Sequence, residues 1–176
     1  MIDVKTVAAK VAHEAQVIRV LANARVLRPE RPDRFLAGAK ALVKWGPTAA
    51  GGYSAAAIRH PDAVAVVDED GSTTFAEIDR RTNSIARGLR ELGVGEGSGV
   101  AILCRNHRGF IEATVAVSKL GASVLYLNTG FAGPQLAEVL EREGAAAVIY
   151  DADFAELVEG CAGERALVVA WHDGLT

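Results

Sequence analysis

GVAILC (Gly99–Cys104), RGFIEATVAVSKLG (Arg108–Gly121), ASVLYLN (Ala122–Asn128), GPQLAEVLEREG (Gly133–Gly144) and AAAVIY (Ala145–Tyr150) follow one another through the middle of this chain. Three short apolar runs alternate with two helix-length patterns. The runs are rich in Val, Ile, Leu and Ala and carry no charge, as strands covered on both faces must be. The spacers are too long for hairpins and suit crossover helices. The stretch therefore predicts a βαβαβ core in an α/β fold with a mostly parallel sheet.

Upstream of it, AVAVVD (Ala63–Asp68) reads as a strand. Asp70-Gly71 is a hairpin turn signal, so the following STTF pairs back antiparallel. Thr74 and Glu77 have the spacing of a capping box. The helix they open carries an apolar stripe of Ile78, Thr82, Ile85, Leu89 and Leu92, and Gly93 is its C′ residue. Before the hairpin, Ser54–Arg59 reads as a short helix, with Gly51 and Gly52 as a flexible joint ahead of it. Downstream, Pro134 suits a first helical turn, and Glu138 can pair with Arg142 four residues on. Asp151 or Asp153 is expected to cap a last helix holding Phe154, Leu157 and Val158. ALVVAW (Ala166–Trp171) reads as a final strand.

The N-terminal segment has a different character. Residues 1–46 hold nine Lys or Arg and four Asp or Glu, a net of +5, whereas residues 47–176 hold ten and eighteen, a net of −8. Val4, Val7, Val11, Ile18, Leu21 and Ala22 predict an amphipathic helix over about residues 3–27, stopped by Pro29 and Pro32. A second helix is predicted over Arg34–Lys44, with Phe35, Leu36, Ala39, Leu42 and Val43 on its apolar side and Trp45 at its end. Such a pair either packs on the body of the domain or lies on a membrane surface; the mixed polar face, with Glu14 and Asn23, favours packing. The division expected is thus an extension over 1–46 and an α/β subdomain over 47–176.

Half the 176 residues are hydrophobic, enough for one real core. No apolar run is long enough to span a bilayer, and Lys5, Lys10, His13 and Glu14 interrupt any signal-peptide core. Two cysteines make no disulfide framework, so a reducing, cytoplasmic setting is expected, with the membrane as the alternative site of residence. A net charge of −3 gives no electrostatic case for nucleic acid, and none is expected as a partner.

Chemistry-bearing motifs are few. Gly93, Gly95, Gly97 and Gly99 resemble a phosphate-binding run, but they follow a helix and precede a strand, the reverse of the order that aims helix N-terminal amides at phosphates. Cys104 and His107 could form a thiol pair, or half of a zinc site with Cys161 and His172, whose spacing matches no usual pattern. An inert buried thiol fits Cys104 better. The loop Cys104–Arg108 and the trio Asn128, Thr129 and Gly130 sit at C-terminal ends of strands, where open α/β sheets collect ligands. They form the expected ligand-facing rim, with no chemistry assigned.

Longer segments resemble a known family. HPDAVAVVDEDGSTTFAEIDRRTNSIARGLRELGVGEGSGVAIL (His60–Leu103) is similar to the opening of AMP-forming acyl-CoA synthetases, the adenylate-forming ligases. SKLGASVLYLNTGFAGPQLAEVLEREGAAAVIYD (Ser118–Asp151) resembles the family's helix ending in Lys-x-Gly-Ala, followed by a strand and an Asn-containing loop. RNHRGF (Arg105–Phe110) and LNTGF (Leu127–Phe131) look most like bacterial fatty-acyl-CoA ligases. The resemblance spans about residues 53–154. It implies a two-step ligation: a carboxylate attacks the α-phosphate of ATP, giving an acyl-adenylate and pyrophosphate, and the CoA thiol then displaces AMP. Mg²⁺ and a lysine would offset the charge gathering on the phosphate oxygens. The family's phosphate loop, its adenylate contacts, hinge and C-terminal catalytic lysine lie downstream of the matched region. No catalytic, cofactor-binding or metal-binding residue is therefore carried onto this sequence. The resemblance implies an N-terminal subdomain, inactive alone and binding no ATP, CoA or Mg²⁺ itself, whose partners are the remainder of the same enzyme and its fatty-acid substrate. The alternatives are a self-contained nucleotide- or CoA-binding module and an interaction domain acting on a membrane or partner through residues 1–46.

Overall fold

Val100, Ala101, Ile102 and Leu103 have no solvent-exposed surface, and Ala147, Val148, Ile149 and Tyr150 are buried beside them. Successive residues of a strand point to opposite faces, so a run with no exposed position needs cover on both sides. The computed structural model, which describes residues 31–171 together with Gln16 and Val20, supplies that cover. The chain divides into two compact units, Met1–Phe35 and Leu36–Thr176. Apart from Gln16 and Val20, both helical, the helix expected near residues 3–27 lies outside the described residues, as do the final residues 172–176.

The elements run α1 (Pro32–Trp45), α2 (Ala49–Arg59), β1 (Val64–Asp68), β2 (Gly71–Thr74), α3 (Phe75–Glu91), β3 (Gly99–Leu103), α4 (Arg108–Lys119), β4 (Ser123–Tyr126), α5 (Gly133–Arg142), β5 (Ala145–Asp151), α6 (Ala155–Glu159, after a 3₁₀ turn at Ala152–Phe154) and β6 (Ala166–Trp171). β1 and β2 form the expected antiparallel hairpin. The remaining strands form one parallel sheet in the order β4-β3-β5-β6. One face carries Val100, Ile102, Ala147 and Ile149 against Leu89 of α3 and Ala113, Ala116 and Val117 of α4. The other carries Ala101, Leu103, Val148 and Tyr150 against Leu136 and Leu140 of α5 and Val158 of α6.

Local signals place the helix ends. Thr74 caps α3: its Oγ1 accepts from Glu77 N, and the Glu77 carboxylate accepts from Thr74 N at 2.8 Å. Of the predicted stripe on this helix, Ile78, Thr82 and Leu89 are buried, but Leu92 is 53% exposed and Ala86 takes the inward place. Leu92 lies beyond the last full turn, where the chain already bends toward Gly93. Glu138 and Arg142 do approach, at 3.9 Å, although Glu143 lies closer to Arg142, at 2.9 Å.

The region around residue 50 departs from expectation. Gly51 and Gly52 are no joint; they belong to the first turn of α2, capped by Thr48. Gly51 is buried, and a Cβ there would stand 2.1 Å from the carbonyl oxygen of Gly46. Its glycine allows the tight corner between α1 and α2. Gly52 has nothing within 4 Å of the same position. In α1 the buried residues are Gly38 and Ala41. Phe35, Leu36, Leu42 and Val43, on the predicted apolar side, are exposed; the helix turns small side chains inward, where Arg59 of α2 packs within 2.9 Å of a Cβ built on Gly38.

Two ionic ties hold the helical layer and hairpin in place. The Lys119 ammonium is buried and donates to Asp79 Oδ1 (2.7 Å), Asn83 Oδ1 (2.7 Å) and Thr82 Oγ1 (2.9 Å), and Asp79 also accepts from Ser54 Oγ (3.2 Å). This links α2, α3 and α4. Asp68, at the end of β1, accepts from the backbone N of Arg108 (2.9 Å) and from its guanidinium. The guanidinium hydrogen bond holds the Asp68 carboxyl far below the usual carboxylate range.

Three measurements test these points. Gly51→Ala should destabilise the chain by about 2 kcal/mol or more through overpacking, whereas Gly52→Ala should stabilise it by about 0.5–1 kcal/mol as an ordinary helix-interior change; urea midpoints of the two variants should move in opposite directions. Lys119→Met should cost about 3 kcal/mol because it leaves Asp79 without its buried partner, and the double change with Asp79→Leu should recover most of that loss. Asp68→Asn should lower the melting temperature at pH 7, with the gap to wild type closing below about pH 4. A carboxyl whose folded pKa is depressed stabilises above its unfolded pKa and loses that contribution as pH falls through the folded one.

Candidate functional site

The crossovers define one crevice. From β3 the chain passes through α4 on one face to β4; from β5 it passes through α6 on the other face to β6. The strand order therefore reverses between β3 and β5. At such a reversal the flanking helices lie on opposite faces, and a crevice opens at the strands' C-terminal ends. A notch of about 390 Å³ lies there. Arg105, Asn106 and His107 line it from the loop after β3, Asp151 and Asp153 from the end of β5, and Asp68 and Glu69 from the hairpin.

Asp151 organises the notch. Its Oδ2 accepts from Arg105 N at 2.7 Å, and its Oδ1 lies 2.9 Å from His107 Nε2. His107 Nδ1 accepts from Gly109 N at 3.1 Å. An imidazole nitrogen that accepts an amide proton carries none itself, so Nε2 bears the proton and donates to Asp151. His107 thus caps α4 with one nitrogen and ties the loop to β5 with the other. Gly109 makes room for this: a Cβ there would stand 2.9 Å from the imidazole. Arg105 pairs with Asp153 and stacks over the Phe154 ring at 5.0 Å.

Cys104 is buried at the end of β3, and its thiol is directed to Ile149 O at 3.8 Å. Burial and the neighbouring Asp151 carboxylate both push it well above the usual thiol range. The pairing of Cys104 with His107 therefore gives way to the inert thiol, because both imidazole nitrogens already have partners. Among the described residues no group of three or more His, Cys, Asp or Glu is arranged to hold a metal. Neither Asp151 nor Asp153 caps α6, whose N-cap is Phe154 with no side-chain cap hydrogen bond. Asp151 precedes the 3₁₀ turn without capping it, since its carboxylate is turned toward Arg105 and His107, and Asp153 lies within the turn and pairs with Arg105.

The two loops of the expected rim do come together. Cys104, Arg105, Asn106 and Phe110 from one, and Leu127, Asn128 and Thr129 from the other, line an open groove of about 580 Å³ beside the notch. Asn128 Oδ1 accepts from Gly130 N at 2.8 Å, which sets the second loop. Phe110 stacks on Tyr126 with centroids 5.3 Å apart. The glycines 93–99 form a helix-to-strand connection, as their order implied. The sequence reading missed the acidic side of the notch. Asp151 could have been found as the last polar residue of a buried strand; Asp68 could not, because its partner lies 40 residues away.

The notch does not fit a nucleotide triphosphate. Four carboxylates face it, Arg105 is held by Asp153, and the first amides of α4 are already bonded, Arg108 N to Asp68 and Gly109 N to His107. A helix N-terminus binds anions only through amides left open. No step of a phosphate reaction is assigned to these residues.

Comparison with known proteins agrees with this architecture. The family model described as AMP-binding enzyme matches residues 53–173. A feruloyl-CoA synthase from Amycolatopsis is 37% identical over 109 residues, 62% of this chain and 22% of that protein. A long-chain-fatty-acid–CoA ligase from Thermus thermophilus is 36% identical over 92 residues, 52% and 17% of the two chains. The solved fatty acyl CoA synthetase of Mycobacterium tuberculosis superposes with a TM-score of 0.65 at 26% identity, covering 73% of this chain and 27% of that one. The chain thus spans about a fifth of the length of the curated relatives it matches. With the family pattern running from the α2–hairpin region through β6 and the same parallel sheet beneath it, the chain belongs to the AMP-binding enzymes, within the adenylate-forming group that contains the acyl- and aryl-CoA ligases.

Proposed function

We propose that this chain is the N-terminal subdomain of an ATP-dependent fatty-acid–CoA ligase and has no ligase activity by itself. The family match over residues 53–173 carries the reading. The similarity of RNHRGF and LNTGF to fatty-acyl ligases, together with the long-chain-fatty-acid relative, supports an aliphatic acid over the aromatic acid named for the feruloyl relative. In this role the crevice between β3 and β5 forms one wall of a cleft, and the remainder of the enzyme contributes the groups that hold ATP, Mg²⁺ and CoA. The saturated α4 N-terminus supports that division of labour, since it leaves this part without an open phosphate cradle. The unpaired Cys104 and Cys161 suit work in the cytoplasm.

Pyrophosphate exchange into ATP tests both halves of the reading. The full-length gene product should catalyse exchange with saturated fatty acids and not with ferulate, and the 176-residue chain should catalyse none with either. Robust exchange by the 176-residue chain alone would overturn its inactivity. Exchange by the full-length protein with aromatic acids only would overturn the substrate class.

A further inference from the structure

We propose that the outward face of α1 docks on membrane surfaces that carry anionic lipids. Leu36, Leu42 and Val43 are 58%, 44% and 86% exposed, although the helix buries Gly38 and Ala41 on its other side. At 100° per residue, Leu36, Ala39 and Val43 fall on one outer strip, Leu42 borders it on one side, and Lys40 and Lys44 border it on the other. An apolar strip edged by lysines is the arrangement of a helix lying in the plane of a bilayer interface: the aliphatic groups enter the acyl boundary while the ammonium groups reach the phosphates.

The charge on the page selects the partner. Between Leu36 and Trp45 there is no carboxylate. The whole segment 1–46 carries a net +5, against −8 for the rest of the chain. Lys44 Nζ lies 4.5 Å over the Trp45 ring, which sits half-buried on the flank of the helix turned toward α2. The helix also precedes the family match, which starts at residue 53. An anionic bilayer satisfies both the apolar strip and the lysine edge. The inference is independent of which acid the enzyme activates.

Co-sedimentation of the 176-residue chain with vesicles tests it. Vesicles of phosphatidylcholine mixed equally with phosphatidylglycerol should pellet the chain at least about tenfold more strongly than phosphatidylcholine alone, and about 0.5 M NaCl should reduce that preference. Leu36→Glu with Val43→Glu should lower partition by about tenfold or more. Lys40→Glu with Lys44→Glu should abolish the preference for anionic lipid. Val67→Glu, at an exposed apolar position on β1, should bind like wild type, and circular dichroism should show all variants folded. The proposal is overturned if wild type stays in the supernatant, if the α1 variants pellet as wild type does, or if Val67→Glu loses binding equally. It is also overturned if gel filtration shows the α1 face pairing two copies of the chain in a protein that ignores vesicles.

Discussion

Dryness of β3 and β5 on both faces is the constraint from which the rest of this structure follows. Val100–Leu103 and Ala147–Tyr150 present no side to water, so every residue of these two runs needs cover above or below it. Parallel pairing of β3 with β4 and β5 meets that need, because each crossover lays a helix on one face. Two crossovers leaving in opposite directions place α4 and α6 on opposite faces. The crevice between β3 and β5 is the geometric residue of that reversal. The side chains that line it are polar because they lie at or just past the strands' ends, where Asp151 and Asp68 are buried only with charged or hydrogen-bonding partners.

Covering a sheet with a helix as apolar as α4 creates a second problem. Glu112 and Lys119 sit on that helix and are both buried. Burial pushes the Glu112 carboxyl above its usual range, with Arg81 Nε, 2.8 Å away, acting in the other direction. Lys119 is matched by Asp79, Thr82 and Asn83. All four partners come from α3. The α3–α4 contact is therefore registered by charge as well as by packing: sliding one helix past the other by a turn would leave a buried ion without its partner, at a cost of several kcal/mol.

What could be read from the sequence divides along sequence distance. The apolar runs, the Asp70-Gly71 turn, the Thr74–Glu77 box and the exit at Gly93 were legible because each signal and its consequence lie within a few residues. Gly51 was misread as a joint: a glycine that relieves a clash with Gly46 across a corner looks the same in sequence as one that provides flexibility. The apolar side of α1 was legible, but not whether it faces the domain, because apolar periodicity shows which residues share a side, not what that side meets. At the crevice, the loops after β3 and β4 were legible from the topology alone. The Asp68–Arg108 and His107–Asp151 pairs were not, since 40 and 44 residues separate their members.

Those same pairs use up donors that an anion entering the crevice would need. In nucleotide-binding α/β proteins the first helix after a strand offers open amides and unpaired positive charge. In this chain the equivalent helix, α4, has its first amides bonded to Asp68 and His107, its Arg108 side chain tied to the hairpin, and Arg105 drawn to Asp153. Each bond that fixes the loop also removes a donor an anion would need. The crevice is thereby held in shape by its own ion pairs and lined by four carboxylates. Opening any one of these bonds to admit phosphate would loosen the loop that shapes the crevice, so positioning and anion binding compete for the same few donors.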